Sequence, residues 1–358
     1  MSAPTWRWLI VGIAIVFSGF LPAGASASGN ESFQQSLQSA LAKSEKGNSM
    51  ILTGVEGWLF LDKELRHLAS PKYWNENPPP DESTDDPLPA ILDFKDQLDK
   101  AGIDLLLVPV PAKAAIYPDK LDARNPAPPQ IPNDLAQTDR EFYNLLEKKG
   151  VHVLDLTETF LKARNEEDCP NLYCKTDTHW SPAGIQLASK KIVERIKDFP
   201  WVASQPKVET QVLEAPLEIH GDLASTLTPP PATETLMTRF VGVAGVEGIQ
   251  PLPNNKESPI ILLGDSHNLV FHSGGDMHAQ AAGLSDLLTR EMGITPDVVA
   301  VMGSGATPAR RNLARRKDKL AGRRLVIWCF TSRELTEGEG WAKVQVIREP
   351  SSSSPAPH

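Results

Sequence analysis

The sequence predicts an α/β fold in which a mostly parallel sheet carries helices on both faces. Short, continuously apolar runs, which are typical of strands buried on both faces, occur at Ile103–Val110, Pro259–Leu263 and Leu325–Phe330. Amphipathic segments with helical spacing, such as Leu88–Ala101 and Leu135–Lys149, alternate with runs of this kind. Because strands that alternate with helices favour a layered sheet, we expect a single α/β architecture rather than a helical bundle.

Further elements follow the same alternation along the chain. We predict additional strands at Gly57–Leu61, Val151–Leu156 and Asp297–Met302, and helices at Glu31–Lys46, Pro182–Lys197, about Ala279–Met292 and Pro308–Lys319. Residues 200–257 lack this regularity and are predicted to be an irregular or β-rich insertion. In sheets of this kind a site forms where loops leave the carboxyl ends of the strands, so those loops are the place to look for chemistry.

Composition limits the class of protein. A chain of 358 residues is long enough for one large domain, or for a domain with a small lobe. The formal net charge of −9 argues against nucleic acid as a partner, since binding to phosphates needs a basic face. The 31 prolines predict long ordered loops rather than long bundled helices.

The first residues have the pattern of an export signal. Arg7 is followed by an apolar run from Trp8 to Phe20, and Ala25-Ser26-Ala27 has the small residues that a signal peptidase accepts. We therefore expect a cleaved signal peptide at residues 1–27, with an uncleaved signal anchor in the inner membrane as the alternative. Either interpretation places the folded part in the periplasm or elsewhere outside the cytoplasm. A helical segment at 28–49, a main domain at 50–335 and a partly disordered tail at 336–358 complete the predicted organisation.

The cysteines are consistent with an exported chain. Cys169 and Cys174 are five residues apart, and a disulfide between them would stiffen the loop before Asp177. The alternative is two unpaired thiols. No second pair accompanies this C-x4-C spacing, so it does not predict a zinc site, and we expect no metal. Cys329 lies inside an apolar run and is predicted to be a buried core thiol.

A serine at the end of a predicted strand is the first candidate for chemistry. The apolar run at 260–263 leads into Gly264-Asp265-Ser266. Glycine permits a sharp turn there, and the serine would lie near a helix start, where free backbone N–H groups can stabilise an oxyanion. A serine in this position can equally serve only as a helix cap.

A histidine with a nearby carboxylate is the second candidate. Asp177-Thr178-His179 precedes the predicted helix that begins with Ser181 as N-cap and Pro182 in its first turn. A serine hydroxyl needs an adjacent base, usually histidine, and a carboxylate holds that histidine in the right tautomer. The alternative is an aspartate that caps the helix and a histidine on the surface. Together with Ser266, the pattern favours a Ser-His-Asp triad.

The two motifs, in this order, resemble a known family. Asp177-Thr178-His179-Trp180 and Gly264-Asp265-Ser266 are similar to the SGNH-like catalytic domain of the alginate O-acetyltransferases of the AlgJ and AlgX type. Further matching pieces are Gly57-Trp58-Leu59-Phe60, Val108-Pro109-Val110-Pro111-Ala112-Lys113, Tyr117-Pro118, His220-Gly221-Asp222-Leu223 and Ile327-Trp328. The resemblance covers roughly residues 50 to 335.

The resemblance implies a three-layer α/β/α SGNH-like fold with its catalytic blocks in permuted order, Asp-x-His before Gly-Asp-Ser. It implies Ser266 as nucleophile, His179 as general base and Asp177 as the residue that orients the base. The chain resembles the shorter AlgJ type, which has no carbohydrate-binding module. His272 stands six residues after the serine, where a tyrosine would be more typical, so it is a candidate for substrate specificity.

Four other residues are candidates for substrate binding. Trp328 matches an aromatic residue on the substrate side of the family, although its position on a strand also permits a core role. Lys113, at the end of a strand, can contact the acceptor or stabilise a loop. Gly303 and Gly305 follow a strand and can supply an oxyanion N–H, with a simple tight turn as the alternative.

The expected function is O-acetyl transfer to hydroxyls of an exported polysaccharide, alginate-like or another exopolysaccharide, through an acetyl-serine intermediate. The resemblance implies an acetyl donor supplied through a membrane-bound O-acyltransferase and implies no cofactor. Two alternatives remain: an SGNH-type carbohydrate acetylesterase, and a non-catalytic glycan-binding subunit of an exopolysaccharide complex. The esterase differs only in that water, rather than a sugar hydroxyl, takes the acetyl group.

Overall fold

The computed structural model describes residues 23–77, 85–132, 134–245, 248–316 and 318–347. The described strands, in chain order, are β1 (Ile51–Thr53), β2 (Leu59–Leu61), β3 (Asp104–Val110), β4 (His152–Val153), β5 (Gln211–Ile219), β6 (Glu234–Gly245), β7 (Gly248–Pro251), β8 (Ile260–Gly264), β9 (Asp297–Ala300) and β10 (Leu325–Thr331). The described helices are α1 (Ala23–Gly47), α2 (Asp62–Ala69), α3 (Pro87–Lys100), α4 (Lys113–Ile116), α5 (Pro118–Leu121), α6 (Gln137–Lys148), α7 (Thr157–Arg164), α8 (Pro182–Ile196), α9 (Pro200–Ala203), α10 (Leu284–Met292), α11 (Thr307–Arg315) and α12 (Glu334–Glu337).

The central sheet has five strands in the order β4-β3-β10-β8-β9, and every pairing in it is parallel. Parallel strands need crossover connections, and the helices that form them cover both faces of the sheet. This confirms the predicted α/β fold class. The strands predicted at 103–110, 259–263 and 325–330 are β3, β8 and β10, the three central strands.

Alternate residues of the central strands contribute to two separate cores. In β10, Ile327 and Cys329 belong to one apolar cluster, whereas Val326, Trp328 and Phe330 belong to the other. Successive side chains of a strand point to opposite faces, so a continuous apolar run fills both layers. That is the physical reason why an uninterrupted apolar run, rather than an alternating one, marks these strands.

Residues 200–257, predicted to be irregular or β-rich, contain a second sheet. Strands β5, β6 and β7 form an antiparallel sheet in that order, and β6 packs against α8 and α10. The first residue of β6, Glu234, contacts the loop that carries Asp177. The insertion therefore supports one wall of the candidate site.

Two predicted boundaries are corrected by the structure. The helix expected from about Ala279 begins only at Leu284, because the chain before it forms a loop with a β-bridge between Ser273 and Gln280. The core also continues past the expected boundary at 335. The ring of Trp341 is 4% exposed and lies 5.7 Å from that of Trp328, so the tail packs on the sheet before residue 348.

The predicted signal segment, residues 1–27, falls mostly outside the described residues, which begin at Ala23, the first residue of α1. The part of the predicted tail from residue 348 onward is also outside them. Among the helices that the structure describes, none is both long and apolar enough to cross a membrane.

Candidate active site

Ser266 lies at the carboxyl end of β8, in a single 3-10 turn that spans Ser266–Asn268. The Asp265 side chain caps this turn by accepting from the backbone N–H of His267 at 2.9 Å. A β-carbon at Gly264 would overlap the backbone oxygen of Cys329. Only glycine therefore allows β8 to run this close to β10 before the turn, which explains the glycine of the motif.

His179 joins Ser266 to Asp177. Its Nε2 lies 2.8 Å from Ser266 Oγ, and its Nδ1 lies 2.7 Å from Asp177 Oδ1. An ionised carboxylate only accepts, so Nδ1 carries the hydrogen and Nε2 is free to accept from the serine hydroxyl. Asp177 is fully buried, whereas Ser266 and His179 are 6% and 7% exposed. This is the arrangement in which histidine can take a proton from a serine nucleophile.

The loop that carries Asp177 and His179 is fixed at both ends. Its aspartate accepts from the backbone N–H of His179 at 2.9 Å, which curls the Asp-x-His segment back on itself. After it, the Ser181 hydroxyl caps α8 by accepting from two backbone N–H groups. The indole of Trp180 donates to the backbone oxygen of His267 at 3.0 Å. That bond ties the loop that carries Asp177 and His179, called the histidine loop below, directly to the turn at Ser266–Asn268.

Lys113 is buried and holds this loop by hydrogen bonds to backbone oxygens. It is 1% exposed, and its Nζ donates to the backbone oxygens of Leu59, Lys175 and Asp177 at 2.7, 3.1 and 2.9 Å. The proposal that it contacts the acceptor is therefore wrong, and the loop-stabilising alternative describes the structure. Burial lowers the pKa of its ammonium group below the usual value, although nearby carboxylates oppose this.

Glu234 and Gly221 hold the same loop from the insertion. The carboxylate of Glu234 accepts from the backbone N–H groups of Lys175 and Thr176 at 2.7 and 2.6 Å. A β-carbon at Gly221 would overlap the backbone oxygen of Thr176. The residue after this glycine, Asp222, donates its backbone N–H to Asp177 Oδ2 at 2.7 Å. The motif at 220–223 thus positions the carboxylate of Asp177.

Electrostatics in the site favour an ionised aspartate and a basic histidine. Burial acts most strongly on Asp177 and would raise its pKa, but the charges and hydrogen bonds of His179 and His278 outweigh it and hold the pKa well below the usual range. Burial would lower the pKa of His179. The charge of Asp177, its hydrogen bond and the charge of Asp222 together exceed that effect, so the pKa of His179 is raised above 6.5.

Trp328 is a core residue. Its side chain is fully buried on β10 between β3 and β8, and its indole donates to the backbone oxygen of Gly305 at 2.8 Å. The substrate-side interpretation is wrong, because both faces of a central strand are covered by helices.

Gly305 itself lies against Asp265, since a β-carbon there would come within 2.9 Å of the backbone nitrogen of Asp265. Gly303 has a φ of +96°, which fits the tight-turn alternative.

His272 is engaged away from the triad. Its Nδ1 lies 2.9 Å from Asp286 Oδ2, and the same carboxylate accepts from the backbone N–H of Gly283 at the start of α10. The structure gives this histidine a part in capping a helix, which corrects the expectation that it sets substrate specificity.

The expected disulfide is absent. Cys169 and Cys174 are both free thiols, and their sulfur atoms contact different backbone carbonyls, those of Pro170 and Trp180. Cys174 is buried, whereas Cys169 is partly exposed. Cys329 is buried in the core, as expected.

Three residues of the site, Asp222, Glu234 and His278, were missed or left without a role by the sequence analysis. The motif at 220–223 was noticed as a matching piece, but its contact with Asp177 was not foreseen. His278, whose Nε2 lies 2.8 Å from Asp177 Oδ2, was not noticed at all. It stands in a segment with no catalytic motif, 101 residues after the aspartate, and no spacing rule connects the two.

Comparison with known proteins decides the family. Residues 51–332 match the family described as SGNH hydrolase-like domain, acetyltransferase AlgX, which covers more than half of the chain. The chain belongs to this family. The chain is also similar to the probable alginate O-acetylase AlgJ of Pseudomonas syringae pv. tomato, to which it is 29% identical over 54% of this chain and 45% of that protein. The protein of the same name from Pseudomonas putida is 26% identical over 81% of this chain and 71% of its own length. The chain thus spans about half the length of the first of these relatives.

Two solved structures show the same fold. The O-acetyltransferase domain of Pseudomonas putida AlgJ aligns with a TM-score of 0.57 at 21% identity, over 80% of this chain and 92% of that chain. AlgX of Pseudomonas aeruginosa aligns with a TM-score of 0.57 at 17% identity, over 80% of this chain and 66% of that chain. These alignments confirm the SGNH-like architecture predicted from the motifs.

Proposed function

We propose that this chain is an O-acetyltransferase that transfers acetyl groups to hydroxyls of an exported polysaccharide through an acetyl-Ser266 intermediate. The observation that carries the proposal is the continuous chain of contacts from Ser266 Oγ to His179 at 2.8 Å and on to Asp177 at 2.7 Å. Membership in the acetyltransferase AlgX family, and relatives named alginate O-acetylase, support transfer as the outcome.

The first half-reaction forms the acetyl-enzyme. His179 Nε2 takes the hydroxyl proton as Ser266 Oγ attacks the carbonyl carbon of the acetyl donor. The bond between the acetyl carbon and the leaving group then breaks, and His179 returns the proton to that group. Asp177 keeps His179 in the Nδ1–H tautomer and stabilises the imidazolium while it carries both protons.

The second half-reaction uses the same groups in reverse. A sugar hydroxyl gives its proton to His179 Nε2 and attacks the acetyl carbon. The bond to Ser266 Oγ breaks, and the serine recovers its proton from His179. If water replaces the sugar hydroxyl, the same steps yield acetate, which is the esterase outcome.

A metal-dependent route is not needed for these steps. In the part of the chain that the structure describes, Asp177, His179 and Asp222 offer ligand atoms within 4.8 Å of one another. Both oxygens of Asp177 already accept from N–H donors, and those of Asp222 accept from the backbone and hydroxyl of Thr178. We therefore assign these carboxylates to hydrogen bonding.

The compartment and the donor are further parts of the proposal. We place the enzyme outside the cytoplasm, in keeping with the export signal predicted at residues 1–27, and we infer that a membrane-bound O-acyltransferase supplies the acetyl group. The acceptor of this chain is proposed to be an alginate-like or other exopolysaccharide, on the strength of the names of its relatives.

The test combines an activated acetyl ester with oligosaccharides of uronic acids or neutral sugars. Leaving-group release and the mass of the sugar product are followed together, with Ser266→Ala as the control. Acetylated oligosaccharide that appears only with Ser266 supports transfer. Acetate that no sugar diverts indicates the esterase, and a wild type as inert as Ser266→Ala indicates a glycan-binding subunit.

The pH profile gives an independent check on His179. A general base must be unprotonated, and the pKa of His179 lies above 6.5. We expect kcat/KM for the activated ester to be constant at alkaline pH and to fall as pH drops through that raised pKa. Initial rates between about pH 5 and 9 measure this. An acid limb centred well below the ordinary histidine value would contradict the assignment.

A further inference from the structure

The carboxylate of Asp177 is saturated with donors, two on each oxygen. Oδ1 accepts from the ring Nδ1 and the backbone N–H of His179 at 2.7 and 2.9 Å. Oδ2 accepts from the backbone N–H of Asp222 at 2.7 Å and from Nε2 of His278 at 2.8 Å. Two oxygens have about four acceptor sites, so the group has no free site left. Its orientation is therefore fixed from both sides.

His278 contacts Oδ2 of Asp177 from a loop that starts directly after the turn at Ser266–Asn268. Its backbone N–H donates to the backbone oxygen of Val270 at 3.0 Å, and its ring lies 5.4 Å from that of Phe271. The far end of the loop is tied to β6, because the backbone N–H of Val241 donates to the oxygen of Ala281 at 2.7 Å. The side chain is 14% exposed. The imidazole is thus held in place by packing and by the backbone on both sides.

Among the described residues, His179 and His278 are the two whose side chains donate to Asp177. Other polar groups nearby are already engaged elsewhere. Lys113 donates to the backbone oxygen of the aspartate, and the Asp222 carboxylate binds Thr178, although it lies 3.7 Å from His179 Nδ1. No other described side chain is therefore placed to take over the contact at Oδ2.

We propose that His278 is a positioning residue of the triad, whose Nε2–H holds Asp177 Oδ2 so that Oδ1 stays directed at His179 Nδ1. The inference rests on the proposed function of Ser266, His179 and Asp177. Because an ionised carboxylate only accepts, Nε2 of His278 carries the hydrogen in this contact. The contact matters most when His179 becomes an imidazolium, since a carboxylate free to rotate about its Cβ–Cγ bond would lose part of its alignment at that moment.

The test compares three variants with the wild type on an activated acetyl ester. His278→Ala removes the donor, and we expect it to lower kcat roughly 10- to 100-fold with KM within about threefold, since the proposed role of His278 is to act through Asp177 and not on the substrate. His278→Gln keeps an N–H at nearly the position of Nε2 and should recover most of that loss. His272→Ala is the matched control, because it removes another buried histidine–carboxylate contact of the same loop, the one with Asp286 at 2.9 Å.

The outcomes separate positioning from simple structural support. Impaired turnover in His278→Ala, recovery in His278→Gln and near-wild-type kcat in His272→Ala support the proposal, provided that thermal unfolding shows the folded state in each. A wild-type kcat in His278→Ala overturns it. Equal losses in all three variants overturn it as well, because they would indicate general damage to the loop.

A second measurement keeps the inference testable if the proposed function fails. Were the wild type to be as inert as Ser266→Ala, the Nδ1–H of His179 can still be observed by NMR of the imidazole nitrogens. We expect its proton to exchange slowly in the wild type and in His278→Gln, and markedly faster in His278→Ala, because the carboxylate that holds it has lost one of its two donors at Oδ2. Unchanged exchange in His278→Ala would show that Asp177 does not need this donor.

Discussion

Asp177→Asn is expected to lower kcat about 10⁴-fold, since the carboxylate is what keeps His179 in the tautomer that can accept from Ser266. Each oxygen of Asp177 accepts two N–H donors. Whichever way the new amide is turned, its NH₂ group faces a pair of donors and cannot accept from them. Steady-state and single-turnover kinetics with an activated acetyl ester measure the loss, and circular dichroism checks that the variant is folded.

Asp222→Asn is the matched control for this prediction. Its carboxylate also lies near His179, at 3.7 Å from Nδ1, but its oxygens accept from the backbone and hydroxyl of Thr178. An asparagine can still accept from one of these groups and donate to the other, so we expect less than about a tenfold loss of kcat. If Asp222→Asn were the more damaging of the two, Asp222 and not Asp177 would be the carboxylate that orients the base.

Lys113→Met is expected to lower the free energy of unfolding by about 3 to 5 kcal/mol. The ammonium group is 1% exposed and donates to the backbone oxygens of Leu59, Lys175 and Asp177. Methionine of similar volume leaves the oxygens of Leu59 and Asp177 without this donor in the interior, whereas that of Lys175 still accepts from the backbone N–H of Leu59 at 2.9 Å. Each buried acceptor without a partner costs about 1 to 3 kcal/mol, and relief from burying the charge returns part of the sum. Urea unfolding followed by tryptophan fluorescence measures the change.

Lys120→Met serves as its control. Lys120 forms an ion pair with Glu56 at 2.6 Å, but the pair lies at the surface, where the glutamate side chain is 63% exposed. Pairs of this kind contribute at most about 1 kcal/mol, so the variant should unfold close to the wild type. A loss below about 1 kcal/mol in Lys113→Met too would mean that the two carbonyls left without a donor find water, and that the histidine loop does not depend on this lysine.

The predictable part of the fold follows from local patterns. The run at 325–330 is apolar at every position, and such a run is stable only when both faces of the strand are covered, so it correctly indicated a central strand. Ser181 and Pro182 marked the start of α8 for an equally local reason, since the hydroxyl and the missing N–H satisfy the first turn. The start of α10 was placed too early, because helical composition cannot show that the preceding residues are held in a loop by their contacts with β6.

In the candidate site, too, some residues could be predicted from local motifs and others could not. Ser266, His179 and Asp177 lie in short motifs whose spacing already suggests their chemistry, and the structure brings them together, although their catalytic roles remain a proposal. Trp328 and Lys113 were assigned alternatives that the sequence could not separate. A tryptophan on a strand and a lysine at its end are compatible with either a substrate contact or a buried one. Which alternative holds depends on the layers that cover them.

The sequence by itself determined the three central strands β3, β8 and β10, the glycine turn before Ser266, and the two motifs that resemble the family. These features depend on neighbouring residues, whose periodicity and backbone preferences act over a few positions. Only the tertiary structure decided that Lys113 holds the histidine loop and that His278 contacts Asp177. Such contacts join residues far apart in the chain, and their geometry is set by how layers pack, about which the local pattern carries no information.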